Sequence, residues 1–183
     1  VYLGSNVFAV TPGPLAAALV HDFPEVLKAT RIRDWSDVLV TVGEKSLLEK
    51  SMHWTDPQTF EIFSFPLVRG DRASALKDPS SVLLSERAAH RYFGESDPVG
   101  RTIVLQAFHS RAECKVAGVF RDVPVNSHFL MDIVAPFETM GKITKTDLTR
   151  WGSSSYYTYI LLKAGADPKA LEAKLVPFIA KYE

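Results

Sequence analysis

One cysteine, Cys114, stands in the 183-residue chain. It has no partner for an internal disulfide, and a lone thiol offers none of the paired spacings that hold zinc. Its neighbours Lys115 to Val119 read as a strand, so a buried, inert thiol is expected. An excess of either charge is missing too, with 21 basic against 21 acidic residues. That balance provides no long-range pull toward nucleic acid or an anionic membrane face, and the basic residues do not cluster with aromatics. Glycine-rich phosphate loops are absent: neither GxGxxG nor GxxxxGKS/T occurs. None of His21, His53, His90, His109 and His128 has a second histidine at i+4 with an acidic neighbour, the pattern of a zinc-protease helix. A long hydrophobic run is lacking as well. Residues 1–20 carry no charge, but Gly4-Ser5-Asn6 and Thr11-Pro12-Gly13-Pro14 interrupt them, whereas a membrane span needs about 20 predominantly apolar residues. No basic segment precedes them, which argues against a signal peptide. Val1 in place of methionine is what a segment of a longer protein would show.

What is present is core material. Apolar residues make up 46% of the chain, with eleven Phe, six Tyr and three Trp. That is enough for one sizeable core or two smaller lobes. Val7 to Val10 reads as a strand, and Pro14 to His21 as a helix capped by Thr11 or Gly13 and ended by Phe23-Pro24. Two or three antiparallel strands fit Val26 to Trp54, with a turn at Gly43-Glu44-Lys45. Asp56-Pro57 reads as a helix start, placing Phe60 and Phe63 on one face. Arg69-Gly70-Asp71 and Asp78-Pro79-Ser80 read as turns around a single helical turn at Ala73 to Leu76. Val82 to Leu84 is a strand, Ser85 caps a helix to Phe93, and Gly94 ends it. Asp97-Pro98-Val99-Gly100 fits a type I turn. Strands follow at Thr102 to Gln106, Lys115 to Phe120, Ile133 to Pro136 and Tyr156 to Lys163. Asp167-Pro168 starts a last helix, with Leu171, Leu175, Phe178, Ile179 and Tyr182 on one face and a kink or split expected at Pro177. The order of elements predicts an α+β fold with mixed or antiparallel sheets and packed helices.

Ser85, His90 and Asp97 have the residue types of a hydrolytic triad. On a helix, however, Ser85 and His90 point about 140° apart, and Asp97 lies beyond the terminating glycine. The expectation is that Ser85 caps, His90 is solvated and Asp97 opens a turn. His53 and Asp56 meeting His128 and Asp132 is a conceivable metal grouping that no spacing supports. Trp151, Tyr156 and Tyr157 are the candidate partner or substrate surface, of the kind that holds a peptide or a sugar, although aromatics at a strand entrance are more often core or interface. No catalytic, cofactor-binding or metal-binding residue is assigned.

Five stretches, in order, resemble the MacB-like periplasmic core domain of FtsX/MacB-type ABC transporter permeases, the Bacteroidetes-type family in particular. They are VTPGPLAAALVHDFPEV (10–26), DPQTFEIFSFPLVRGD (56–71), ALKDPSSVLLSERAAHRYFGESDPVGRTI (75–103), VAGVFRDVPVNSHFLMDI (116–133) and YYTYILLKAGADPKALEAKL (156–175). The resemblance implies one extracytoplasmic domain over 1–183, set between the permease's own transmembrane helices on the periplasmic side of the inner membrane. It implies two lobes, placed at 1–45 plus 115–183 near the membrane and at 46–114 as an inserted outer lobe. It implies no enzymatic activity in the domain and no cofactor, with ATP hydrolysed by a separate or fused cytoplasmic ABC ATPase. It also implies a permease dimer and a periplasmic adaptor or substrate: a peptide, a lipoprotein or an antimicrobial compound, in efflux or in mechanotransmission. A passive periplasmic peptide- or glycan-binding module and a stand-alone hydrolase are the alternatives to be weighed.

Overall fold

The computed structural model describes residues 2–3, 6–7, 9–35, 37–107 and 110–182. In chain order the elements are β1 (Tyr2–Leu3), β2 (Asn6–Val7), β3 (Thr11–Pro12), α1 (Leu15–Asp22), β4 (Val26–Trp35), β5 (Val38–Val42), β6 (Lys45–Glu49), β7 (Met52–Thr55), α2 (Thr59–Ile62), β8 (Leu67–Gly70), β9 (Ser81–Ser85), α3 (Glu86–Phe93), β10 (Thr102–Ala107), β11 (Ser110–Phe120), β12 (Ile133–Pro136), α4 (Phe137–Thr144), β13 (Ser154–Leu162) and α5 (Pro168–Ile179). Strands run both parallel and antiparallel among packed helices, the mixed α+β class that the sequence predicts.

The chain forms two compact units: Val1–Arg31 with Asp147–Glu183, and Ile32–Thr146. The second is therefore one continuous insertion into the first. The boundaries expected at 45/46 and 114/115 are not where the chain divides. Lys45 opens β6 and pairs with Val42, and Cys114–Lys115 lies in the middle of β11. Either cut would sever a hydrogen-bonded strand.

In the first unit the strand order is β3-β13-β4, with β13 antiparallel to β3. Helices α1 and α5 supply Leu15, Leu19, Leu171 and Phe178 to a core that Phe23, Val26, Ile160 and Leu162 complete. Pro14 takes the N-cap position of α1 without a side-chain hydrogen bond, and Thr11 instead donates from Oγ1 to the Tyr156 carbonyl at 2.8 Å. Phe23 is extended because Pro24 follows, which stops the helix. Asp167 accepts from the Lys169 N–H at 2.9 Å and caps α5. Pro177 does not split α5: it falls in the final turn, so its missing N–H costs one bond near the end, and the helix runs to Ile179. Ile179 is exposed rather than part of the buried face. Ala9 and Val10 are not in a strand, and Phe8 lies outside the described residues.

In the second unit the order is β4-β7-β12-β9-β11-β10-β5-β6, with β8 also on β11. The β7–β12 and β9–β11 pairs are parallel. Every residue of β7, β9 and β12 is buried, as expected for central strands covered on both faces. Phe60, Leu76, Leu83, Phe120, Met131 and Val134 form one core cluster. Helix α4, unforeseen in the sequence, packs against β11 and β12 and buries Phe137, Met140 and Ile143. Helix α2 starts at Thr59, two residues later than Asp56-Pro57 suggests, and Phe63 is already extended. Arg69 and Gly70 belong to β8 and are not a turn. Gly70 and Gly118 face each other across β8 and β11 at a close backbone approach. The turn after α3 is closed one residue later than expected, by Arg101 N–H to the Pro98 carbonyl at 3.0 Å, with Gly100 at φ +80°. That is a type II turn, which needs glycine at its third position.

Candidate functional site

Ser85 ends β9 and caps α3. Its Oγ accepts from the Ala88 N–H at 3.0 Å and donates to Asp132 Oδ1 at 3.2 Å. His90 points elsewhere, its Nδ1 lying 3.4 Å from Glu95 Oε1 on the surface. Asp97 lies 3.4 Å from Arg69 Nη1. The three triad-like residues thus have separate partners, as their helical spacing predicts.

The polar assembly in the second unit is one that sequence spacing does not reveal. Buried Glu49, at the end of β6, and buried Asp132, ahead of β12, both receive Arg91 of α3. Arg91 Nη2 lies 2.9 Å from both Glu49 oxygens and 3.1 Å from Asp132 Oδ2. Arg87, one turn earlier, donates from Nε to Asp132 Oδ1 at 3.1 Å, and Tyr92 donates to Glu49 Oε1 at 2.6 Å. Burial alone would lower the Arg91 pKa, but Glu49 and Asp132 more than reverse it and raise it. Burial, reinforced by Glu49, pushes the Tyr92 phenol well above its ordinary range. Both carboxylates are occupied by guanidinium and hydroxyl donors, so the assembly serves as a clasp among three chain segments. The N–H of Arg87 and the carboxylate of Asp122 meet at 2.9 Å, while the Asp122 N–H reaches Glu86 Oε2 at 3.3 Å. Helix α3 therefore fastens both ends of the 122–132 segment. At its tip Val125 is 85% exposed in a turn closed by Ser127 N–H to the Pro124 carbonyl.

The aromatic candidates separate. Tyr156 is buried in the first unit, 2% exposed, and cannot belong to an exposed surface; it points inward because β13 alternates its faces. Trp151 stacks on Tyr182 at 4.0 Å with the rings 11° apart, so one of its faces is covered. Tyr157 is exposed and shares its side of β13 with Leu161, also exposed. Cys114 is buried, and desolvation pushes its thiol up to about 11. His53 is buried whereas His128 is exposed and stands edge-on to Phe129 at 4.2 Å. Among the described residues no group of three or more His, Cys, Asp or Glu side chains is arranged to hold a metal ion. Among them, too, no helix is long and apolar enough to cross a membrane.

A family model described as MacB-like periplasmic core domain matches residues 2–178. No curated protein matches the chain. Among solved structures, a domain assigned to a permease protein of Porphyromonas gingivalis is similar at 27% identity and a TM-score of 0.79, covering 96% of this chain and 73% of that one. The periplasmic region of MacB from Actinobacillus actinomycetemcomitans shares the fold at 16% identity and a TM-score of 0.70, covering 94% of this chain and 74% of that one. The extracellular domain of the noncanonic ABC-type transporter YknZ from Gram-positive bacteria shares it at 14% identity and 0.63, covering 96% and 87%.

Proposed function

The chain belongs to the MacB-like periplasmic core domain family, and from that premise we propose that it is the mechanical relay of an ABC transporter permease. The family is a non-catalytic periplasmic domain of transporters. In this reading a cytoplasmic ABC ATPase drives a dimeric permease, and the domain passes that cycle to a periplasmic substrate or adaptor. The first unit is the part nearer the membrane, and the inserted second unit is the part that meets the partner.

The observation that carries the reading is the Glu49–Arg91–Asp132 clasp. A relay needs stiffness and a presented surface, and the clasp ties together the unit whose α3 holds the ends of the 122–132 segment, at whose tip Val125 is exposed. The passive binding-module alternative is the weaker one, because Tyr156 is buried and Trp151 is half covered. The hydrolase alternative loses its motif to the separate partners of Ser85, His90 and Asp97.

The test uses the full-length permease reconstituted with its ATPase and carrying a spin label at Val125→Cys. Interspin distances between protomers are read with nucleotide trapped and without it. A nucleotide-dependent change in the distance distribution is expected. Identical distributions in an actively hydrolysing complex would refute the relay.

A further inference from the structure

Strand β7 lies between β4 and β12, and His53 sits at its centre, in register with Asp34 on one side and Val134 on the other. The side chain is buried, and its Nδ1 has no hydrogen-bond partner among the described residues. The backbone of Ser51 favours the charged form of the ring. Two carboxylates act on it: Asp34 from β4, which is exposed, and Asp132 from the approach to β12, which is buried. Asp132 is already shared by Ser85, Arg87 and Arg91 of the α3 region, and Arg91 in turn is held by Glu49 of β6. A proton added at Nδ1 would thus create a cation inside a packed sheet, and one of the two carboxylates that favour it, Asp132, is already neutralised by two guanidiniums. Burial disfavours that charge more than the two carboxylates favour it, and the imidazole is held below its ordinary 6.5.

We propose that His53 is an acid-sensing group, whose protonation loosens the β4–β7–β12 seam of the second unit. The sign follows from proton linkage. The unfolded chain takes up a proton near 6.5 and the folded chain resists it, so the stabilisation is complete above that pH and declines as the pH falls through it. Resting on the relay reading, this makes the stiffness of the moving unit responsive to the pH outside the cytoplasm.

The experiment is urea unfolding of the 183-residue chain at pH 7.5 and pH 5.0, in the wild type, His53→Gln and His128→Gln. The unfolding constant of the wild type and of His128→Gln is expected to rise severalfold on acidification, at about tenfold for each unit by which the folded histidine is displaced. His53→Gln is expected to show a distinctly smaller rise. Ring titration of His53 by NMR in the wild type gives a second readout should the Gln variant fail to fold. Equal acid sensitivity in wild type and His53→Gln, or His53 titrating at or above 6.5, would overturn the proposal. Both readouts use this chain alone, so their failure leaves the relay reading standing, and a failed relay leaves the titration intact.

Discussion

Arg91 and Glu49, 42 residues apart in the chain, meet through a forked pair in which one guanidinium nitrogen lies 2.9 Å from each carboxylate oxygen. Glu49 is buried, and Arg91 keeps about a quarter of its side chain in solvent. Removing the guanidinium leaves Glu49 without its counter-charge and weakens the neutralisation of Asp132. Arg91→Met is therefore expected to cost about 3–5 kcal/mol of stability. Arg69→Met is the control, since the Arg69–Asp97 pair is exposed on both sides; its loss is expected to cost about 0–1 kcal/mol. Urea midpoints of the two variants check this, and similar midpoints would show that the clasp contributes nothing special.

Glycine at 118 is a requirement of close packing. A Cβ there would lie 2.6 Å from the Arg69 carbonyl oxygen, so β8 would have to move off β11. Gly118→Ala is expected to destabilise by about 1–3 kcal/mol. Gly152→Ala meets nothing within 4 Å and has an ordinary φ, so it is expected to stay within about 0.5 kcal/mol of the parent. Thermal melts of the two variants read the difference directly.

Asp22 closes α1 against the end of the chain. Its carboxylate receives His21 Nδ1 at 2.6 Å, Lys181 Nζ at 3.0 Å and the Tyr182 hydroxyl at 3.3 Å. His21, then Lys181, lower its pKa from 3.8 to about 2. The folded form thus releases its proton more readily than the unfolded form. The resulting stabilisation is present above pH 3.8 and is lost as the pH falls toward 2. Asp22→Asn is expected to flatten the acid limb of the stability curve in that window. An acid limb identical to the parent's would exclude this role for Asp22.

Local rules in the sequence were dependable where one or two residues decide an element. Ser85 capping α3, Gly94 ending it, Pro24 stopping α1 and Asp167-Pro168 opening α5 all follow from backbone chemistry within a few positions. Arg69-Gly70 misleads because glycine marks turns, whereas here it lets two strands approach, and its partner Gly118 lies far along the chain. Helix α4 is hidden by Gly141 and by β-branched Thr139 and Ile143, poor helix formers that tertiary burial overrides. The clasp could not be read at all. Arg87 and Arg91 are four apart on a helix, a spacing common on solvated faces, and their carboxylates arrive from a strand and a loop more than 40 residues distant. The sequence leaves Tyr156 between surface and core because alternation along β13 gives two faces without saying which of them the helices cover.

Only two peptide bonds tether residues 32–146 to the rest of the polypeptide, Arg31–Ile32 and Thr146–Asp147. They differ in setting. The first lies inside β4, whose following residues Ile32 to Trp35 are laced to β7; the second comes one residue after Lys145, which turns left-handed at φ +55°. A pull arriving by the first is a shear along a ladder of hydrogen bonds, which resists as a group. A pull arriving by the second acts on a turn in which the Thr144 hydroxyl accepts from the Thr146 N–H at 3.3 Å.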